Sequence, residues 1–290
     1  MGELLTKGGY GMRKHRRMNI KKIISTMILF FCSIAFLLPF IWMLSTSLKI
    51  ETDVFKYPIE WIPTRWNAIS NYQEVWFGEY PFYLYYWNSI KVAVLTTTVS
   101  VIVSSLAAYG FSKVKFPAGA WLFIIVLATY MVPPQASLVP QFILFRYLGI
   151  FDTHFGLILL GSFSVLGTFM LRQFFLGIHD DFIDAAKIDG AGHWRIFWRI
   201  ALPIVRPAVA TYAILRFIWT WNDYQNPLIF LRTDALYTIQ LAMQKFTTIN
   251  GSFYTLIMAA AVSAILPLLI VFILGQKHVI DGIALGGVKG

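Results

Sequence analysis

The residues that could do chemistry are few and fall in two places. The first is Asp184-Ala-Ala-Lys-Ile-Asp-Gly-Ala-Gly192, running on through His193-Trp-Arg-Ile-Phe-Trp-Arg-Ile-Ala-Leu-Pro203, the most charge-dense run in the second half of the chain. The second is Arg216 with Trp219-Thr-Trp-Asn-Asp-Tyr-Gln-Asn-Pro227. Neither has the make-up of a reaction centre. The five histidines are scattered without ligand spacing, so no metal is expected, and no Ser-His-Asp order with supporting motifs is visible. A Gly-x-x-x-x-Gly-Lys-Ser/Thr phosphate loop is also missing, so the chain is not expected to hydrolyse ATP or to carry a cofactor of its own. What remains is contact chemistry. Small residues ringed by charge can let a partner approach, and planar polar groups beside indoles can hold a sugar.

The elements that must position these residues are read from composition. Hydrophobic residues make up 58% of the 290 and charged ones 13%, about half the charged share of soluble domains. That leaves too little polar skin for a soluble protein and sets the membrane class. The net charge of +10 could suggest nucleic acid, but seven of the 24 Lys and Arg residues crowd into the first 22 positions, beside an apolar run. That is the mark of a cytoplasmic end, and nucleic acid is not expected as a partner. Ile23 to Leu48 holds no charge and is longer than a signal peptide's apolar region, so it reads as an uncleaved first span. The single cysteine, Cys32, lies in this run and excludes a disulfide framework.

In order, spans are expected at about Ile23–Leu44, Val92–Ser112, from Ala118 to a break at Pro133-Pro134, Phe155–Leu171, Ala208–Trp221 and Phe253–Leu274. The aromatic stretch through Trp61, Trp66, Trp76 and Tyr80–Trp87 reads as an external lobe, and 135–152 as a second external stretch. Backbone groups in lipid must be satisfied internally, so helices are the economical reading. The expected class is an all-α membrane protein of six transmembrane helices, with both termini cytoplasmic and a polar loop, 180–206, between helices 4 and 5 in preference to 5 and 6. Charge supports this: outside lie Lys49, Lys56, Arg65, Lys91, Arg146, Arg232 and Lys245, inside lie sixteen, and Arg216 is left within the membrane. Residues 1–22 form a basic cytoplasmic end, 23–276 the transmembrane domain and 277–290 a cytoplasmic tail.

Within the polar loop, Asp181 to Asp189 reads as a short helix. Asp189-Gly190 is a turn in which glycine takes positive φ. A second helix is expected from about Ala191 to Ile200, with Ile196, Phe197 and Ile200 on one apolar face and Pro203 as its stop. Two short helices joined this way make a compact knob, with small residues at 185, 186, 190, 191 and 192 and with Lys187, Arg195 and Arg199 at the rim. The plainer alternative is a polar loop resting against lipid headgroups.

Asp184-Ala-Ala-x-x-Asp-Gly-Ala191 with Ile200 and Leu202-Pro203 resembles the cytoplasmic coupling-loop motif of ABC importer permeases, with Asp184 where that family usually has glutamate. Pro39-Phe-x-Trp-Met43 with Ser47-Leu-Lys49, Asn88-Ser89, Ala107-Ala-Tyr-Gly-Phe111, Trp221-Asn-Asp223 and the terminal Gly286-Gly-Val-Lys-Gly290 resemble its carbohydrate-uptake, maltose-transporter-like branch. The resemblance implies a subunit of the bacterial cell (inner) membrane. It implies a second permease as heterodimer partner, an ATPase dimer inside that binds the ATP, an extracytoplasmic solute-binding protein and a sugar, with oligosaccharides expected. Asp184 would be the charge contact to the ATPase, Asp189 and Gly190 the turn, and Ala185, Ala186 and Ala191 the close-packing surface, with Leu202 and Pro203 closing the motif. Gly287, Lys289 and Gly290 would add a tail contact. Other solutes, such as a polyol or a glycerophosphodiester, and a self-sufficient secondary transporter stand as alternatives.

For the solute pathway the candidates are Arg216, Trp219, Trp221, Asn222, Asp223 and Gln225, with Asn226 beside them. Asn222 and Asp223 could instead cap the end of a helix. Arg216 could favour anionic sugars such as uronides, or it could snorkel or pair with a partner subunit's carboxylate.

Overall fold

A computed structural model describes residues 20–248 and 251–287. Most of the basic N-terminal cluster, and the tail positions Lys289 and Gly290, lie outside the described residues. The chain is helical: α1 (Ile20–Ser47), α2 (Ala68–Phe77), α3 (Phe82–Lys113), α4 (Gly119–Thr129), α5 (Pro134–Tyr147), α6 (His154–Gly161) and α7 (Val165–Leu176) come first. Then follow α8 (Asp180–Ile188), α9 (His193–Ile196), a π-helical turn (Phe197–Ala201), α10 (Leu202–Ile204), α11 (Arg206–Trp221), α12 (Gln225–Phe230), α13 (Ile239–Ala242) and α14 (Tyr254–Gly287). The exception is a ladder of two-residue strands, Thr247–Thr248 against Gly251–Ser252, ahead of α14. Three helices are long and apolar enough to cross a membrane, or up to six if each bent pair counts as one span.

The centre of the bundle is α3, which packs on α6, α7 and α11. Its buried stripe is made of small and hydroxyl residues, Ser89, Ala93, Thr96, Ser100, Ser104 and Ala108, while Val94, Leu95, Ile102 and Val103 face outward. This is the pattern of a helix in lipid, where close approach and not water exclusion draws helices together. One close junction is Gly167 of α7 against Tyr212 of α11. A Cβ on Gly167 would stand 2.2 Å from that ring. The Tyr212 hydroxyl is shared with Ser100 at 2.8 Å and Ser104 at 3.3 Å. α1 and α11 both pack on α14.

Three breaks bend the spans. α4 and α5 meet at 95° across Pro133-Pro134, as expected of two residues that cannot continue a helix. The stretch after them, expected as external chain, is the helix α5. α6 and α7 meet at 43°, where a single span was expected. There Ser164 accepts the Gly167 N–H at 3.0 Å and starts a new helix. Arg172, expected to end this span, lies inside α7, with its guanidinium over the Phe123 ring and its Nε donating to the Phe111 carbonyl. The third break, 81°, separates the polar loop from α11. α3 begins ten residues before the expected start, so Tyr83 to Trp87 are its first turns and not lobe.

Around 50–77 a small lobe closes the ends of two spans. Asn71 Nδ2 donates to the last carbonyl of α1, Ser47, at 2.9 Å and to that of Lys49 at 2.7 Å. The Glu51 carboxylate accepts the N–H groups of Tyr254 and Thr255, each at 2.9 Å, and so caps α14.

Candidate functional site

The knob forms as two helices around a glycine turn. Asp180 and Asp181 sit in the first turn of α8 and Lys187 in its last, each where the helix dipole favours that charge. The helix closes with a Schellman arrangement: the Ala191 N–H donates to the Ala186 carbonyl at 2.9 Å and the Gly190 N–H to that of Lys187 at 2.9 Å. Gly190 has φ +76°, which a side chain would strain.

The second helix runs beyond the expected stop. Pro203 has no N–H for the Arg199 carbonyl, and the preceding turn widens into π geometry, Leu202 N–H bonding the Phe197 carbonyl. The helix therefore continues through Ile204, and the chain breaks at Val205.

The structure divides the small residues of the motif between two faces. Ala185 is exposed, but Ala186 is buried in the core with Ile183, Ile196 and Phe197, and Ala191 packs partly against it. Ala186 therefore sets how tightly the knob sits on its own bundle, which differs from the expectation that it faces a partner, while Ala191 keeps part of its surface outside. The outward face is Asp184, Ala185 and Asp189 with Phe182, Ile188 and Trp194. Ile188 is 88% exposed. The sequence reading missed these apolar groups; Phe182 and Ile188 lie off the line that Ile183 and Ala186 define on α8, and that offset was the available signal. Asp184 is within 3.1 Å of Lys187 on the same helix, so its carboxylate is neutralised in part but remains exposed. Leu202 packs on the core and Pro203 is exposed.

Two straps fasten the knob to the C-terminal end of α3. Lys113, 5% exposed, donates to the Ile178 carbonyl and to Asp180, both at 2.6 Å. The Tyr109 hydroxyl meets His193 Nδ1 at 3.2 Å. The hydrogen bond from Lys113 is the main reason the Asp180 carboxyl titrates below its usual range. A carboxyl lowered in the folded state stabilises fully above its unfolded value of ~3.9, and that contribution is lost as pH falls through the folded value. Asp180→Asn is expected to lower the melting midpoint of the detergent-solubilised protein slightly near neutral pH and to flatten its fall below about pH 4. An unchanged acid profile would show that the strap is not this carboxylate.

The second group opens onto a cavity of about 800 Å³ lined from α3, α5, α6, α7, α11 and α12. Arg216, Trp219, Asp223 and Asn226 line it. Trp221 does not; it is 1% exposed in the core, its Nε1 donating to the Ala264 carbonyl at 3.0 Å. Asn222 and Gln225 are exposed outside the lining. Asn222 Nδ2 donates to the Ile218 carbonyl at the end of α11, whereas Asp223 Oδ1 accepts the Asn226 N–H at 3.1 Å at the start of α12 and does not close α11. Ser137, Gln141 and Ser164 add hydroxyl and amide groups to the lining, and no sequence signal had marked them. Gly287, a candidate tail contact, is the last residue of α14.

A lipid-soluble helical bundle, one polar knob strapped to its central helix and a polar cavity within it define a membrane permease. The chain belongs to the family described as binding-protein-dependent transport system inner membrane component, whose model matches residues 100–284. An arabinooligosaccharides transport system permease protein of Bacillus subtilis is 30% identical over 280 residues, 96% of this chain and 100% of the relative. A sulfoquinovosyl glycerol transport system permease protein of Agrobacterium fabrum is 33% identical over 261 residues, 88% of this chain and 89% of the relative. Among solved structures, a bacterial ABC transporter involved in the import of the acidic polysaccharide alginate superposes with a TM-score of 0.79 at 26% identity, covering 89% of this chain and 96% of that one.

Proposed function

We propose that this chain is one of two permease subunits of an ATP-driven importer of sugars, oligosaccharides among them, and that the knob 181–203 receives the ATPase. In this reading each bent pair is one span, giving six, and both termini and the knob lie in the cytoplasm, which the crowding of Lys and Arg at the N-terminal end supports. The solute-binding protein docks outside, and ATP is bound by the partner subunit. The observation that carries this is the knob: an outward helix bearing Asp184, Ala185 and Ile188, whose opposite side is part of the bundle's own core. A surface built this way passes a partner's movement to α3 and α7 instead of absorbing it. The relatives' sugar cargoes support the solute class.

The test is reconstitution in liposomes with the second permease, the ATPase and the binding protein. Sugar uptake is expected only with ATP and all components. Uptake by this chain alone without ATP would identify a secondary transporter. A complex that hydrolyses ATP but moves no member of a sugar panel would reject the solute class.

A further inference from the structure

We propose that the cavity accepts an acid-bearing sugar unit and that Arg216 selects its negative charge. This rests on the sugar-import reading above. Among the described lining residues Arg216 is the one cation and Asp223 the one carboxylate. Asp223 is already engaged, its two oxygens accepting the N–H and the Nδ2 of Asn226. Arg216 makes no ion pair among the described residues. Its recorded hydrogen bond runs from Nη2 to the Gly161 carbonyl at 2.6 Å, and its Nε is buried without a protein partner. A guanidinium has five N–H donors, and the Nη hydrogens not spent on Gly161 are left for a ligand at the cavity wall.

A charge held this way inside an apolar bundle is costly, and an anion relieves the cost. The cation is also fixed in place. Gly161 lies at the break between α6 and α7, and a Cβ there would stand 2.5 Å from Arg216 Nη2 and 2.3 Å from Thr96 Cγ2. The bare backbone lets the guanidinium dock against the carbonyl and holds it at the cavity wall. A planar, fixed fork matches a carboxylate in a way that a mobile ammonium does not. A neutral sugar would be served by the hydroxyls, the amides and the Trp219 ring, and would gain nothing from the charge. The volume, about 800 Å³, falls within the ~300–1,000 Å³ typical of small-molecule sites.

The test is equilibrium binding of digalacturonate and of its uncharged methyl ester to the assembled importer in detergent. The acid is expected to bind about tenfold or more tighter than the ester. Arg216→Gln should bring the ratio close to one while changing ester binding little, and Arg216→Lys should retain part of the preference. Equal binding of the two by the unmodified complex, as a neutralising carboxylate from a partner subunit would produce, overturns the proposal. So does a preference that survives Arg216→Gln. Binding of neither sugar removes the cavity as a sugar site, whereas the sugar reading itself is judged by ATP-driven uptake.

Discussion

Gly190→Val is expected to remove most ATP-driven uptake from the reconstituted importer while leaving the protein inserted and folded. A Cβ at this position meets nothing within 4 Å, so the substitution causes no clash. The damage is in the backbone: φ is +76°, a region costing an L-residue roughly 1–2 kcal/mol and a β-branched one more. The turn is exposed, and the chain relieves this strain by unwinding the end of α8 instead of disturbing the core beneath. The hydrogen bonds from Gly190 and Ala191 to the last α8 carbonyls are then lost, and Asp184, Ala185 and Ile188 no longer form one surface. At 1.4 kcal/mol per tenfold, uptake should fall by at least about tenfold, with basal ATP hydrolysis persisting. Asp184→Lys should reach a similar loss by charge alone, with α8 intact. Full transport by either variant would mean that the knob is not where the ATPase acts.

The second large effect is expected at Gly167→Val. Here the obstacle is steric, since the Tyr212 side chain occupies the place of any side chain, with two ring atoms and the hydroxyl oxygen within 2.4 Å of the Cβ position. α7 and α11 must separate or Tyr212 must leave, and its hydroxyl then loses Ser100 and Ser104 in a buried setting. Overpacking of this kind costs typically 1–3 kcal/mol, and a stranded buried hydroxyl about 1–3 more. The variant should be recovered in low yield and melt well below the parent in detergent. Tyr212→Ala in the same chain should restore part of the loss, because it empties the place that the valine needs. A double variant no more stable than Gly167→Val would locate the defect elsewhere.

Much of this was legible in the residues, and the failures share a physical cause. The polar loop, its glycine turn and the break at Pro133-Pro134 stand out because charge, positive φ and the missing proline N–H each act locally. The resemblance motifs also find local reasons: Lys49 lies over the Trp42 ring at 4.5 Å. Asn88 donates to the Ala235 and Tyr237 carbonyls, and Ser89 accepts the Ile239 N–H, so this pair holds the segment between α12 and α13. What could not be read was the side on which each residue would lie. Ala185 and Ala186 are identical in sequence, yet one faces out and the other is core, and only the packing of Ile183 and Ala186 into the cluster with Phe175, Ile196 and Phe197 decides between them. Trp221 and Trp219 look equally fit to stack on a sugar; a partner carbonyl on α14 takes the first. The start of α3 was misplaced because its aromatic first turns resemble a membrane-interface belt, which composition does not distinguish from loop.

The cap that Glu51 places on α14 has a consequence for how the protein is built. The acid sits just after the first span, and the N–H groups it satisfies open the last one, 203 residues later. α1 is otherwise sparsely held: its most apolar window is not buried by the rest of the bundle, and its packing partner is α14. The last helix to be synthesised therefore finds the acid that settles its opening turn already in place beside the first, and the pair closes the bundle as a clasp closes a necklace.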